Sequence, residues 1–204
     1  MADTVTMPTG LPTALRFRPL YAMTPDEFYA FCQQNPDMRA ELSAEGEVVF
    51  ISPAGGLSSA VNALVIGALI RWAQLDGQGV VFDSSAGFIL PNGAVRSPDA
   101  AWVRRPRLAK LPARQRERFL PLCPEFVVEI ASPSDRLVEL QAKMDEYMAN
   151  GAELGWLIKP ASRGVTVYRP GEPAQHVAGA DSIDAGSLLP GFSLDLLPIW
   201  QPFA

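Results

Sequence analysis

Two short apolar runs, Phe126-Val127-Val128-Glu129-Ile130-Ala131 and Asp99-Ala100-Ala101-Trp102-Val103, lack both the alternation of a half-exposed strand and the length of a helix. Rich in β-branched or aromatic residues and flanked by Pro, they predict strands buried on both faces. After the first run, Leu137, Leu140, Met144, Tyr147 and Met148 recur at helical spacing. Ser132-Pro133-Ser134-Asp135 offers that helix an N-cap hydroxyl, Pro at the first helical position and an acid in the first turn, and Asn150-Gly151 closes it. Near the N-terminus, Thr24 and Glu27 make a capping box for a helix over 25–33, with Met23 and Phe28 placed as its hydrophobic staple. A longer apolar helix is expected over 58–75, after the Gly55-Gly56 loop. Strands are expected over 47–51, 79–83, 85–90, 155–158 and 165–168, with a turn at Asn92-Gly93. Strands mixed with a few helices indicate an α/β fold in which the long helices pack on the sheet. The apolar tail over 188–200 is expected to dock on it.

Composition fits that picture. With 204 residues, 48% hydrophobic and 19% charged, and no polar linker dividing it, the chain is expected to form one domain over 20–204. Residues 1–19, rich in Thr and Pro, read as a loose arm. The best apolar run, 60–70, is interrupted by Asn62 and reads as a core helix, so no membrane association is expected. The first residues lack a basic start followed by an apolar segment, and no secretory signal is expected. Cys32 and Cys123 are far apart and form no C-x-x-C pair, which argues against zinc and leaves the reducing cytoplasm as the default compartment. His176 is the only histidine; a Ser-His-Asp triad would also need a G-x-S-x-G elbow, which is absent, as is a Walker lysine loop.

The chemistry is carried by two acids. Glu129 interrupts one buried run and Asp99 opens the other. An unpartnered carboxylate out of water costs several kcal/mol, so both positions call for something cationic nearby. Lys143 stands roughly 90° from the centre of its helix's apolar stripe, at about 100° per residue, where its side chain can reach towards the end of the preceding strand. Asp, Glu and Lys arriving from two strands and a helix outline a metal-dependent phosphodiesterase site. A plainer alternative keeps Glu129 and Lys143 as a buried ion pair, with Asp99 as a turn residue after Pro98.

The order Pro98-Asp99, then Pro124-Glu125-Phe126-Val127-Val128-Glu129-Ile130-Ala131-Ser132-Pro133-Ser134-Asp135, then Lys143, Tyr147, Asn150-Gly151 and Gly155-Trp156-Leu157-Ile158, resembles the Uma family of restriction endonucleases, within the PD-(D/E)XK nuclease superfamily. Upstream, Glu45-Gly46-Glu47-Val48-Val49-Phe50-Ile51-Ser52-Pro53 is similar to that family's glycine-turn hairpin. The resemblance implies a restriction-endonuclease-like mixed sheet flanked by helices. It implies that Asp99 and Glu129 bind a divalent metal, Mg²⁺ or Mn²⁺, with the Ile130 carbonyl as a further ligand. Lys143 takes the place of the superfamily lysine, whose usual position two residues after the Glu holds Ala131 here. Glu41 corresponds to an additional acidic position.

Charge complicates a DNA partner. The net charge is −5, whereas nucleic-acid-binding domains carry a basic footprint. The cations gather over 104–118, where seven Arg and Lys meet one acid, Glu117. That segment is either a phosphate-holding connection near the metal or a solvated loop. The expectation is a Mg²⁺-dependent DNA endonuclease acting as a homodimer, the dimer suggested by the length of the apolar tail and the two strands of DNA. The runner-up is a nuclease-fold module that no longer cleaves and serves binding or assembly.

Overall fold

A computed structural model describes residues 15–204. Strand β1 (Arg16–Phe17) is followed by helix α1 (Pro25–Gln34), the hairpin β2 (Arg39–Leu42) and β3 (Val48–Ile51), and the long helix α2 (Gly56–Asp76). Next come β4 (Gly79–Asp83), β5 (Phe88–Ile89), β6 (Val95–Arg96) and β7 (Ala100–Arg104). Short helices α3 (Arg105–Ala109) and α4 (Ala113–Arg116) lead to β8 (Phe126–Ile130), α5 (Leu137–Ala149) and β9 (Leu154–Lys159). After a 3-10 turn the chain ends with β10 (Gly164–Tyr168), β11 (Gln175–Ala178), β12 (Ser182–Asp184), β13 (Ser193–Asp195) and α6 (Leu197–Trp200).

The main sheet has the order β11-β10-β9-β8-β7-β4. Its one parallel pair is β8–β9, joined by α5 as crossover; the other pairs are antiparallel. A smaller sheet, β1-β3-β2-β6-β5, carries the expected hairpin, and β12–β13 form a two-stranded ribbon. The architecture is the expected mixed α/β one, with helices on the sheets.

Side-chain alternation along β8 divides the core. Phe126, Val128 and Ile130 face α2, whose stripe Val61, Val65, Leu69 and Ala73 is packed into the same cluster. The tail completes that layer: Leu189, Phe192, Leu194, Leu196 and Ile199 are all buried there. Burial of each large side chain contributes roughly 1.5–3 kcal/mol, so the tail is part of the fold. The apolar tail that suggested self-association is therefore consumed within the chain. Val127 faces the opposite way, into a second cluster with Met144 and Tyr147 of α5. A third cluster lies under α1, where Phe28 meets Leu42, Val48 and Val95.

Most expected elements appear close to their predicted bounds, including both strands buried on two faces and the Thr24–Glu27 capping box. Helix α5 differs. It starts at Leu137 without a side-chain cap, because Ser132-Pro133-Ser134-Asp135 folds on itself: the Ser132 N–H donates to Asp135 Oδ2 at 2.7 Å, and the two Ser hydroxyls lie 3.0 Å apart. The expected strand over 85–90 shortens to Phe88–Ile89. Of the N-terminal stretch, residues 1–14 lie outside the described residues, and pairing begins at Arg16, opposite Val49. Among the described residues, α2 alone is long and apolar enough to cross a membrane by length and composition; one of its faces is core.

Candidate active site

Register brings the two predicted acids together. Ala100 pairs with Val128 on antiparallel β7 and β8, so one step further along Asp99 comes abreast of Glu129. Glu129 shares the face of Val127 and points towards α5, where Lys143 meets it: Nζ lies 2.8 Å from Glu129 Oε1. The same ammonium lies 2.8 Å from Glu41 Oε1 on β2 of the small sheet. All four side chains predicted from the sequence therefore assemble, from β2, the start of β7, β8 and α5. The plainer alternative is also visible in part, since Glu129 and Lys143 do form a buried ion pair.

Their hydrogen bonds assign different positions to the three carboxylates. Glu41 is filled: Oε1 accepts from Lys143 and from the Ser97 N–H at 2.8 Å, and Oε2 accepts from Arg96 Nη1 at 3.3 Å. On Glu129, Oε1 takes Lys143 and the Tyr147 hydroxyl at 3.0 Å, while Oε2 has no hydrogen-bond donor among the described residues. Asp99 Oδ2 accepts from the Ile130 N–H at 2.7 Å, and Oδ1 takes one longer bond, 3.3 Å, from Asn62 Nδ2. Glu129 Oε2 and Asp99 Oδ1 are thus the oxygens with coordination capacity to spare, beside the Ile130 main chain.

Electrostatics follow from that geometry. Burial opposes ionisation of Glu41, yet Lys143, Arg96 and the Ser97 N–H outweigh it and hold its carboxyl below the usual range. Glu129 goes the other way: burial, with Asp99 and Glu41 as like charges, raises it in spite of Lys143. Burial likewise raises Asp99, against the Ile130 N–H and Lys143. Burial would strip Lys143 of its proton, but Glu129 and Glu41 hold it protonated. Counting Glu146, four carboxylic acids face two cations, Lys143 and Arg96, an excess of two acids that the rise of Glu129, pushed up to about 8, relieves in part by protonation.

That surplus and the donor set fit a hard divalent cation. Carboxylate and carbonyl oxygens are the ligands Mg²⁺ and Mn²⁺ favour, and Mg²⁺ accepts one or two carboxylates while keeping waters. Among the described residues no three acidic, histidine or cysteine side chains form a ready cage, so the set on offer is Asp99, Glu129 and the Ile130 carbonyl.

Three contributors were not read from the sequence. Arg96 on β6 bridges Glu41 and Glu146, with Nε 2.5 Å from Glu146 Oε2. Tyr147, seen only as part of a motif, holds Glu129. Asn62 of α2 reaches Asp99. Its signal was present: a polar residue inside an otherwise apolar helical run.

The ends of the basic segment are turned to partners of their own, away from these acids. Strand β7 runs away from Asp99, and its five residues at about 3.3 Å each put Arg104 roughly 16 Å off. There Arg104 and Arg107 converge on the buried Glu125, at 3.3 and 3.1 Å, and Arg104 also pairs with Glu153. Arg118, at the segment's other end, bonds Asp26 at 3.1 Å and stacks 4.4 Å from the Tyr29 ring. His176, on edge strand β11, takes no part in the site.

Comparison with known proteins bears on the family and the fold. The family model of Uma2, described as "Putative restriction endonuclease", matches residues 25–197. The crystal structure of a putative nuclease belonging to DUF820, from Anabaena variabilis ATCC 29413, superposes with a TM-score of 0.74 at 18% identity, covering 87% of this chain and 97% of that one. At that identity the likeness concerns the fold. No protein of curated function matches the chain.

Proposed function

Because the chain belongs to the Uma2 family of putative restriction endonucleases, we propose that it is a divalent-metal-dependent endonuclease that hydrolyses phosphodiester bonds of DNA. The observation that carries this reading is the convergence of Asp99, Glu129 and Lys143, with Glu129 Oε2 left open while its partner oxygen is held by Lys143 and Tyr147. Asp99 and Glu129, with the Ile130 carbonyl, are the residues that would hold Mg²⁺ or Mn²⁺. Such an ion supplies Lewis acidity and a more acidic bound water. Lys143 keeps its charge in the site and has a third N–H beyond the two given to carboxylates. That N–H orients the attacking water or offsets negative charge gathering on the phosphate oxygens. Glu41, its own oxygens filled, serves as the counter-carboxylate of Lys143 and not as a ligand. The Tyr147 hydroxyl fixes the Glu129 rotamer.

Incubation of supercoiled and linear DNA with Mg²⁺ or Mn²⁺ tests the reading. Cleavage should stop in excess chelator and in Glu129→Ala; undiminished cutting in either would remove the metal mechanism. A second reading, a nuclease-fold binding module that does not cleave, is favoured by one observation: Arg104, Arg107 and Arg118 of the basic segment are engaged in internal pairs. Calorimetric titration with Mg²⁺ separates the two, because such a module has no use for the metal. Two copies acting on two strands remain part of the proposal. Leu57, Leu64 and Leu75, exposed along one side of α2, offer it an apolar surface, and light scattering at tens of micromolar decides. Two free thiols, Cys32 and Cys123, suit a reducing compartment such as the cytoplasm.

A further inference from the structure

Lys143 is shared between two carboxylates, and what keeps it shared lies one layer further out. Glu41 is aimed at Lys143 by two donors, the Ser97 N–H and Arg96. Arg96 is itself only slightly exposed, and its Nε binds Glu146 Oε2 at 2.5 Å. Glu146 stands on α5 three residues after Lys143, on the same helix face. Its second oxygen accepts from Asn92 Nδ2 at 2.9 Å, and Asn92 N–H donates to Asn150 Oδ1 at 2.9 Å. A closed circuit results: β6 supplies Arg96, which ties α5 through Glu146 and β2 through Glu41, and Glu41 returns to α5 through Lys143.

We infer that Arg96 is a positioning residue for Lys143, acting through Glu41. The reason is geometric. A lone ammonium beside Glu129 would settle on that carboxylate, and nothing would then hold it at a fixed point while other groups enter the site. A second carboxylate, itself ionised and immobile, divides the ammonium between two oxygens at equal distance. Arg96 secures this by holding the second oxygen of Glu41; without it the carboxylate is held through Oε1 alone and is free to rotate about that contact. Arg96 suits the task because its planar fork presents two separate nitrogens in a fixed geometry, Nε to Glu146 and Nη1 to Glu41, where a lysine has a single ammonium on a flexible stem. Arg96 touches none of the atoms expected to react.

The inference rests on the nuclease reading for its kinetic part, so the test carries a readout that does not. In ¹⁵N-labelled protein, an ammonium held by two carboxylates exchanges slowly enough to give its own ¹H–¹⁵N signal, assigned by its loss in Lys143→Arg. Arg96→Met should broaden or shift that signal in the metal-free protein. In the same variant kcat for DNA cleavage should fall on the order of 10- to 100-fold, with KM and Mn²⁺ affinity within about threefold of wild type. Arg96→Lys should restore only part of both effects. If Arg96→Met fails to fold, Glu41→Gln keeps the shape, removes the charge that Arg96 orients and should alter the Lys143 signal alike. An unchanged ammonium signal with unchanged kcat overturns the positioning role and leaves the nuclease reading standing. A wild-type protein that cuts no DNA under any metal overturns the nuclease reading, and the ammonium signal alone then decides the role of Arg96.

Discussion

Replacement of Asp99 by Asn tests whether Asp99 and Glu129 form one electrostatic unit. The substitution removes a charge and almost nothing else. The introduced asparagine can still accept the Ile130 N–H with its oxygen, and its amide can face Asn62 if that side chain turns over, keeping both hydrogen bonds now made at 2.7 and 3.3 Å. The cost is the weakening of one charge-assisted bond to a neutral one, roughly 0.5–1 kcal/mol. The gain is removal of a buried charge that burial, Asp135 and Glu41 disfavour, against the support of the Ile130 N–H, Lys143 and the longer Asn62 bond. Partial relief of such a penalty is worth about 1–2 kcal/mol. Without metal, Asp99→Asn should therefore match or exceed wild type by about 1 kcal/mol, or roughly 2–4 °C in Tm for a chain of this size. Metal reverses the order. A ligand at one hundred times its Kd stabilises the folded state by about 2.7 kcal/mol, so wild-type Tm should rise by roughly 5–10 °C in saturating Mg²⁺, and that of the variant far less. Differential scanning calorimetry in chelator and in Mg²⁺ reads both numbers. Equal metal-induced shifts in the two proteins would refute the reasoning by removing Asp99 from the site.

Lys143→Ala should lose most cleavage in steady-state assays yet keep metal affinity within a few-fold. Lys143→Arg should also be poor, because a planar guanidinium cannot take the point position 2.8 Å from both carboxylates. Urea unfolding of Phe192→Ala should show a loss of about 3–5 kcal/mol, since that ring stacks on Trp156 inside the main core; a loss below about 1 kcal/mol would mean the tail is not part of the cooperative fold. Gly155→Ala would drive a methyl to 2.3 Å from Cε of Met144, a fully buried α5 side chain packed against β9. It should cost about 1–3 kcal/mol by the same measurement and reduce cleavage by displacing the helix that carries Lys143; full activity would show that the helix yields without moving Lys143.

More of this protein was legible along the chain than its charge balance suggests. The two apolar runs around Asp99 and Glu129 read correctly as doubly buried strands because burial on both faces leaves a run with no polar alternation. Helix α1 was legible because its start is local chemistry, the reciprocal Thr24–Glu27 bonds. Lys143 could be placed on the flank of its helix by angle alone, and the flank does face Glu129. The same local logic misplaced the start of α5, where Asp135 bonds back to Ser132 instead of serving a first helical turn.

What the sequence left open was decided by partners distant along the chain. Glu41 stands 102 residues before the Lys143 it holds, and no periodicity relates the two; only the packing of the small sheet against α5 makes them neighbours. Arg96 carried no signal of its own, because a lone arginine in a two-residue strand has meaning only once Glu41 and Glu146 flank it. The basic run over 104–118 looked like one cationic surface because charge was counted along the chain. In space, Arg104 and Arg107 turn onto Glu125 at the far end of β7, and Arg118 onto Asp26 of α1. A charge in sequence is a formal quantity, whereas a charge in a fold depends on what lies within a few ångströms of it, and that distance is set by register and packing.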